Sequence, residues 1–304
     1  MLTLHNLEDM NILRIIGYLC YVVAIILIVV IISGNASAGA FITPGILALL
    51  GSFLLILTKN SRLAQKSTMK KEARETKSEG NFLFLAAQAY NEFNDSELAQ
   101  KYLNRALDIS DSGQSDYTLT NWANSLNSLL PFLKAHNKLD EYLNTMEGLA
   151  ATNEDYLTIA NAVKDSMQDE DRERIYLDKA ENGAVSTTDY IYLAQYMNSN
   201  SDNREAVRNY IVKGSEIAVD VDDYQECVYA YTELLNENSD SKTLCDKAKD
   251  IAKTYSDWLK LAYSYDHAGD QSMIKYCLEQ AELSFVEGVD TADYLTEAKE
   301  TLLN

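Results

Sequence analysis

Three histidines, His5, His136 and His267, are the natural bases for general acid–base chemistry near neutral pH, and they lie far apart in this 304-residue chain. His136 falls in the polar stretch AHNK and His267 just before Gly269 at a helix end, which are places for surface residues rather than a paired base. No phosphate-cradling GxxxxGK pattern, dinucleotide-binding GxGxxG, metalloprotease HExxH or hydrolase GxSxG is present. The four cysteines, Cys20, Cys227, Cys245 and Cys277, show neither CxxC spacing nor neighbouring histidines. Cys20 lies in an apolar run; the other three fall in helical patterns, where a free thiol serves as a small core hydrophobe in a reducing compartment. Asp169-Glu170-Asp171 and Asp222-Asp223 lack the alternating ligands and glycine of a calcium loop, and read as negative charge at helix N-termini. We therefore expect no enzyme, no cofactor and no metal.

Charge divides the chain near residue 80. Before it stand eight Lys/Arg and five Asp/Glu; after it, 18 Lys/Arg face 41 Asp/Glu, a net charge of −23 for the second part. Such a domain repels nucleic acid, whose binding requires bases to neutralise phosphates. With two prolines and 12 glycines in all, the composition favours helix.

The first part holds two uncharged apolar runs, residues 15–32 and 41–58, each of 18 residues. At 1.5 Å per residue each reaches roughly 27 Å, close to the hydrocarbon thickness of a bilayer. They are joined by the short, uncharged stretch SGNASAGA, so residues 1–58 read as a transmembrane helical hairpin held in the bilayer through residues 15–58. Glu8 and Asp9 before the first run, with Arg14 the one base there, argue against a cleaved signal peptide. A basic linker, residues 59–80, follows with Lys59, Arg62, Lys66, Lys70, Lys71, Arg74 and Lys77. The positive-inside rule then puts the N-terminus and the large domain in the cytoplasm.

An acidic or polar residue followed by an aromatic recurs at Asn81-Phe82, Asp116-Tyr117, Asp155-Tyr156, Asp189-Tyr190, Asp223-Tyr224, Asp257-Trp258 and Asp293-Tyr294. The aromatics are spaced by 35, 39, 34, 34, 34 and 36 residues. Three consecutive intervals of 34 mark an internal repeat. Offsets of three and four residues after each aromatic, as in Trp258, Leu261 and Ala262, put the large side chains on one helical face. Each unit reads as two helices, in the fourth from Asp189 to about Ser199 and from Arg204 to Ala218, with the Asp, Ser or Thr before the aromatic as N-cap. The aromatics are expected to fill the gap between neighbouring units. The second unit is longer than the others and carries Pro131, which leaves its second helix undefined. Tyr294, Ala298, Leu302 and Leu303 indicate a terminal capping helix.

At these residues the chain resembles the tetratricopeptide repeat family, since Trp258-x2-Leu261-Ala262-x2-Tyr265 is close to that family's W-x2-L-G-x2-Y, with Ala for Gly. The resemblance covers residues 81–304 and lacks the family's closing proline. It implies an all-α fold: the hairpin followed by an α-solenoid of about six to seven helix-turn-helix repeats, whose first helices line a groove for a protein or peptide partner. The positions it would turn inward include Leu83, Ala87, Tyr90, Asn161, Lys164, Gln195, Asn198, Tyr229, Glu233, Tyr263 and Asp266. Some members clamp a partner's terminal carboxylate with Lys, Arg and Asn; here Asn161, Lys164 and Asn198 are the groups on offer. The expected function is a membrane-anchored interaction scaffold. The alternative is a structural protein of the membrane or envelope that assembles with its own copies.

Overall fold

A computed structural model of the chain describes residues 16, 19–20, 22–23, 25–26, 42–111, 118–201 and 203–303. Among these residues the structure is helical and holds no strand. It divides into two compact units: residues 1–121 with 131–138, and residues 122–130 with 139–304.

The first unit contains α1 (Ile42–Glu75), α2 (Glu79–Asn91) and α3 (Ser96–Asp111). The basic stretch that follows the second apolar run is carried on α1 as far as Glu75. Met69 of α1 is buried. The Arg62 Nη2 donates to the Glu92 carbonyl (2.8 Å), and Lys66 pairs with Asp95 and holds that carboxyl below its usual range. α2 and α3 form an antiparallel pair whose core is Phe82, Leu85, Ala86, Ala99, Tyr102, Leu103 and Ala106. Among the described residues no helix is long and apolar enough to cross a membrane. The two-span reading falls largely outside the described residues, which omit 27–41, much of 15–26 and most side chains from 42 to 61.

α4 (Thr118–Ala135) is shared between the units. The second contains α5 (Leu139–Leu149) and four successive pairs: α6 (Asn153–Met167) with α7 (Glu170–Gly183), α8 (Thr187–Asn200) with α9 (Arg204–Ile217), α10 (Val221–Ala230) with α11 (Asn238–Ile251), and α12 (Tyr255–His267) with α13 (Gln271–Leu283). α14 (Ala292–Leu302) closes the chain. A π-helical turn, Tyr231–Leu235, extends α10. Each first helix packs on its own second helix and on the first helix of the next pair, the connectivity of an α-solenoid.

The repeat is written in the helix starts. Thr152, Ser186, Asp220 and Thr254 are the N-caps of α6, α8, α10 and α12, 34 residues apart, and each accepts from the backbone N–H three residues on. Asp155, Asp189, Asp223 and Asp257 are therefore not the caps. They stand at the third helical position, and Asp155, Asp189 and Asp257 reach back to the cap residue's own N–H at 2.9 Å. The result is a reciprocal capping box at three of the four starts.

Three and four residues past each aromatic, Leu85-Ala86, Ile159-Ala160, Leu193-Ala194, Cys227-Val228 and Leu261-Ala262 are buried, so small and branched side chains set the close approach of paired helices. Two of the repeating aromatics meet rings within their own pair. Phe82 lies 6.2 Å from Tyr102 and Trp258 6.0 Å from Tyr276, each on the second helix of its own pair. Among the side chains that tie one pair to the next are Tyr196, donating to Glu173, and Tyr265, donating to Asp246, both at 2.8 Å. Turns within pairs use residues in the left-handed region: Asn94, Asn137, Gln168, Asn236 and Gly269.

The longest interval has a simple cause. α4 is 18 residues long and continues through Pro131, so the second unit has a definite second helix, α5. The missing proline N–H is offset by packing: Trp122, Leu126, Leu129, Phe132 and Leu133 are buried along α4. The Tyr142 hydroxyl of α5 donates to the Trp122 carbonyl at 2.7 Å.

Candidate partner-binding face

Second helices use their charges on one another. Lys179 pairs with Glu147 and, 34 residues on, Lys213 pairs with Glu181 at 2.6 Å. The same lysines lie over the rings of Tyr176 and Tyr210, again 34 residues apart. Arg172 reaches Asp140 at 2.9 Å, and Arg208 joins Asp240 and Glu237. The bond from Lys213 outweighs burial and holds the Glu181 carboxyl below the usual carboxylate range. Burial pushes the Tyr210 phenol up, and the neighbouring Glu181 adds to it. Bases here are spent on binding one repeat to the next.

The first helices present a different surface. Gln195 and Asn198 of α8 are exposed, as are Glu233 beyond α10 and Asp266 of α12, while Tyr229 and Tyr263 are half-buried. Asn161 and Lys164 of α6 are drawn into a local network at the end of α8. Lys164 Nζ donates to the Asn200 carbonyl (2.7 Å) and pairs with Glu173 (3.4 Å), and Asn161 accepts from the Asn200 amide (3.1 Å). These two residues thus stitch adjacent repeats together, which leaves the Lys164 charge engaged within the chain. Tyr90, in the first unit, packs edge-on against Phe132 at 5.4 Å and lies 6.1 Å from His136.

Leu83 and Ala87, expected to face inward, are core residues instead. The same face of α2 meets α4, with Gly80 against the Asn121 side chain and Tyr90 against Phe132. Phe84, which the sequence pattern left unassigned, is 63% exposed beside Glu72, Glu75 and Asn81 in a cleft of about 410 Å³.

Around α10 and α12 three of the expected residues, Tyr229, Glu233 and Tyr263, come together. The Tyr229 hydroxyl accepts from Gln225 (2.9 Å), which also donates to the Lys260 carbonyl of α12 (3.0 Å). The rings of Tyr229 and His267 meet at a tilt of 41° with centroids 4.2 Å apart. Burial raises the Tyr229 phenol, with Glu233 and Tyr263 close enough to add to the shift; burial and then Glu297 of α14 do the same to Tyr263. His267, Gln225 and Glu297 escaped the repeat pattern because they lie off the aromatic register.

Cys227, Cys245 and Cys277 are buried, and burial pushes each thiol up to about 12. They are protonated packing groups at neutral pH. The acidic runs sit at helix starts: Asp169 caps α7 with Glu170 and Asp171 in its first turn, and Asp222 and Asp223 open α10. Among the described residues no group of His, Cys, Asp and Glu is placed to hold a metal ion. No protein-family model, curated protein or solved structure matches the chain.

Proposed function

We propose that this chain is a membrane-anchored scaffold of tetratricopeptide-like repeats that holds a protein or peptide partner on its first-helix face. One contrast carries the reading: the second-helix bases Arg172, Arg208 and Lys213 are paired between repeats, whereas Gln195, Asn198 and Asp266 on the first helices, and Glu233 beyond α10, are exposed, with half-buried Tyr229 and Tyr263 among them. Tyrosine beside exposed polar groups is the composition of interface hot spots. The anchor rests on the two apolar runs and the basic flank after them. It is supported by the exposure of Leu19, Val22, Ile25, Phe53 and Ile56, large apolar side chains that a bilayer would cover.

A photoreactive side chain at Gln195 or Tyr263 of the full chain in native membranes tests this, with Arg174 and Lys247 on second helices as references. The reading expects protein adducts from the first-helix positions and few from the references. Equal yields from both faces would overturn it.

Self-assembly is the second reading, favoured by apolar residues left open near the C-terminus: Leu283 and Val289 are 79% exposed and Tyr294 60%. A full chain whose mass in detergent stays that of one copy over a hundredfold range of concentration would count against it.

A further inference from the structure

The face around α10 and α12 is specific in its chemistry, and the inference drawn from it rests on the scaffold reading above. Tyr229 and Tyr263 stand on adjacent first helices, both half-buried, so each ring offers one wall and a polar tip. Helical spacing places Glu233 four residues after Tyr229, and Asp266 three residues after Tyr263. Glu297, exposed on α14, adds a third carboxylate near Tyr263. The adjacent base, Lys260, is committed to Asp222 at 2.5 Å. The His267 ring packs at a tilt against Tyr229.

We propose that this face receives a basic segment of the partner, with Lys or Arg side chains lying along the two tyrosine rings and their charges met by Glu233, Asp266 and Glu297. Aromatic faces attract cations, and the long aliphatic stems of Lys and Arg cover apolar surface while the charged heads reach carboxylates. An acidic or carboxylate-terminated segment would meet three like charges here and be rejected.

The test uses the full chain in phosphatidylcholine nanodiscs, which present no net lipid charge to compete for a basic probe. Fluorescein-labelled Lys/Leu, Glu/Leu and Ser/Leu peptides of equal length are titrated by anisotropy. The proposal expects the Lys/Leu peptide to bind best, and E233Q/D266N/E297Q to weaken it about tenfold or more. The charge-matched control E216Q/E279Q/E287Q should change it less than twofold. Matching far-UV circular dichroism melts of the two triple variants establish that both are folded. Equal weakening by both triples would mean attraction to net charge alone, and overturns the proposal. Binding of the Ser/Leu or Glu/Leu peptide in preference, abolished by Y229A/Y263A, also overturns it while leaving the scaffold reading in place. Absence of binding by any peptide, with first-helix adducts still formed in membranes, rejects the basic-segment assignment in the same way.

Discussion

The pairs from α6 to α13 and the longer unit built on α4 and α5 reach the same helix-pair design by different means. In the regular block each first helix begins with a cap supplied at 34-residue intervals, and the start is fixed locally by two or three hydrogen bonds. In the longer unit α4 has an internal proline and is held by apolar mass, chiefly Trp122, Phe132 and four buried leucines counted with Leu119. The 34-residue phase follows the recurring caps in the regular block, and the longer unit departs from it where α4 runs on through Pro131 to 18 residues.

Truncating the apolar mass is the largest way to break the contrast. Trp122→Ala should cost about 3–5 kcal/mol, read by urea unfolding, because it removes a fully buried ring. Its first consequence should be lost amide-exchange protection in α4 and α5, with α12 and α13 retaining theirs. Pro131→Ala sharpens the contrast from the other side. Restoring a helical N–H should stabilise α4 by roughly 1–3 kcal/mol, a gain seen as a raised melting temperature. Unchanged stability would mean that the residues around Pro131 have already offset its cost.

In the regular block Asp257→Ala should cost about 1 kcal/mol by the same unfolding measurement, since it removes the return half of the capping box at α12. Acid should mimic it. Burial alone would raise Asp189 and Asp257, but backbone bonds from Val185 and Ser186, and from Lys253 and Thr254, outweigh it and hold both below the usual carboxylate range. Groups depressed in the folded state stabilise above their unfolded value, about 3.9, and lose that contribution as pH falls through the lower folded value. The melting temperature of the native chain should therefore fall more steeply below about pH 4 than that of D189N/D257N, which has no such carboxylates to protonate. The smallest effect is expected from Lys213→Ala, roughly 0.5 kcal/mol by the same melts, because its bond to Glu181 is partly open to solvent.

Much of the repeat was legible in residue spacing. The fourth unit was expected as two helices from Asp189 and Arg204, and α8 and α9 run Thr187–Asn200 and Arg204–Ile217. Read three residues earlier, the Ser/Thr-x-x-Asp signature at Thr152, Ser186 and Thr254 would have placed the caps correctly; the conspicuous Asp-aromatic pair drew attention to the third position instead. Leu83 and Ala87 were misplaced because spacing alone does not show that their face of α2 packs against α4. At the candidate face, Tyr229, Glu233, Tyr263 and Asp266 followed from register, whereas His267 and Glu297 joined them only through folding.

The central claim is an anchored scaffold working in the cytoplasm, and topology tests it most directly. Single cysteines are placed at Ser37 and Ser112 in a chain freed of its four native cysteines, and intact cells are treated with an impermeant thiol reagent. Labelling at position 37 alone is the predicted result, with position 112 reacting only after the membrane is opened. Labelling at position 112 in intact cells would contradict the account and turn the repeats to the outside.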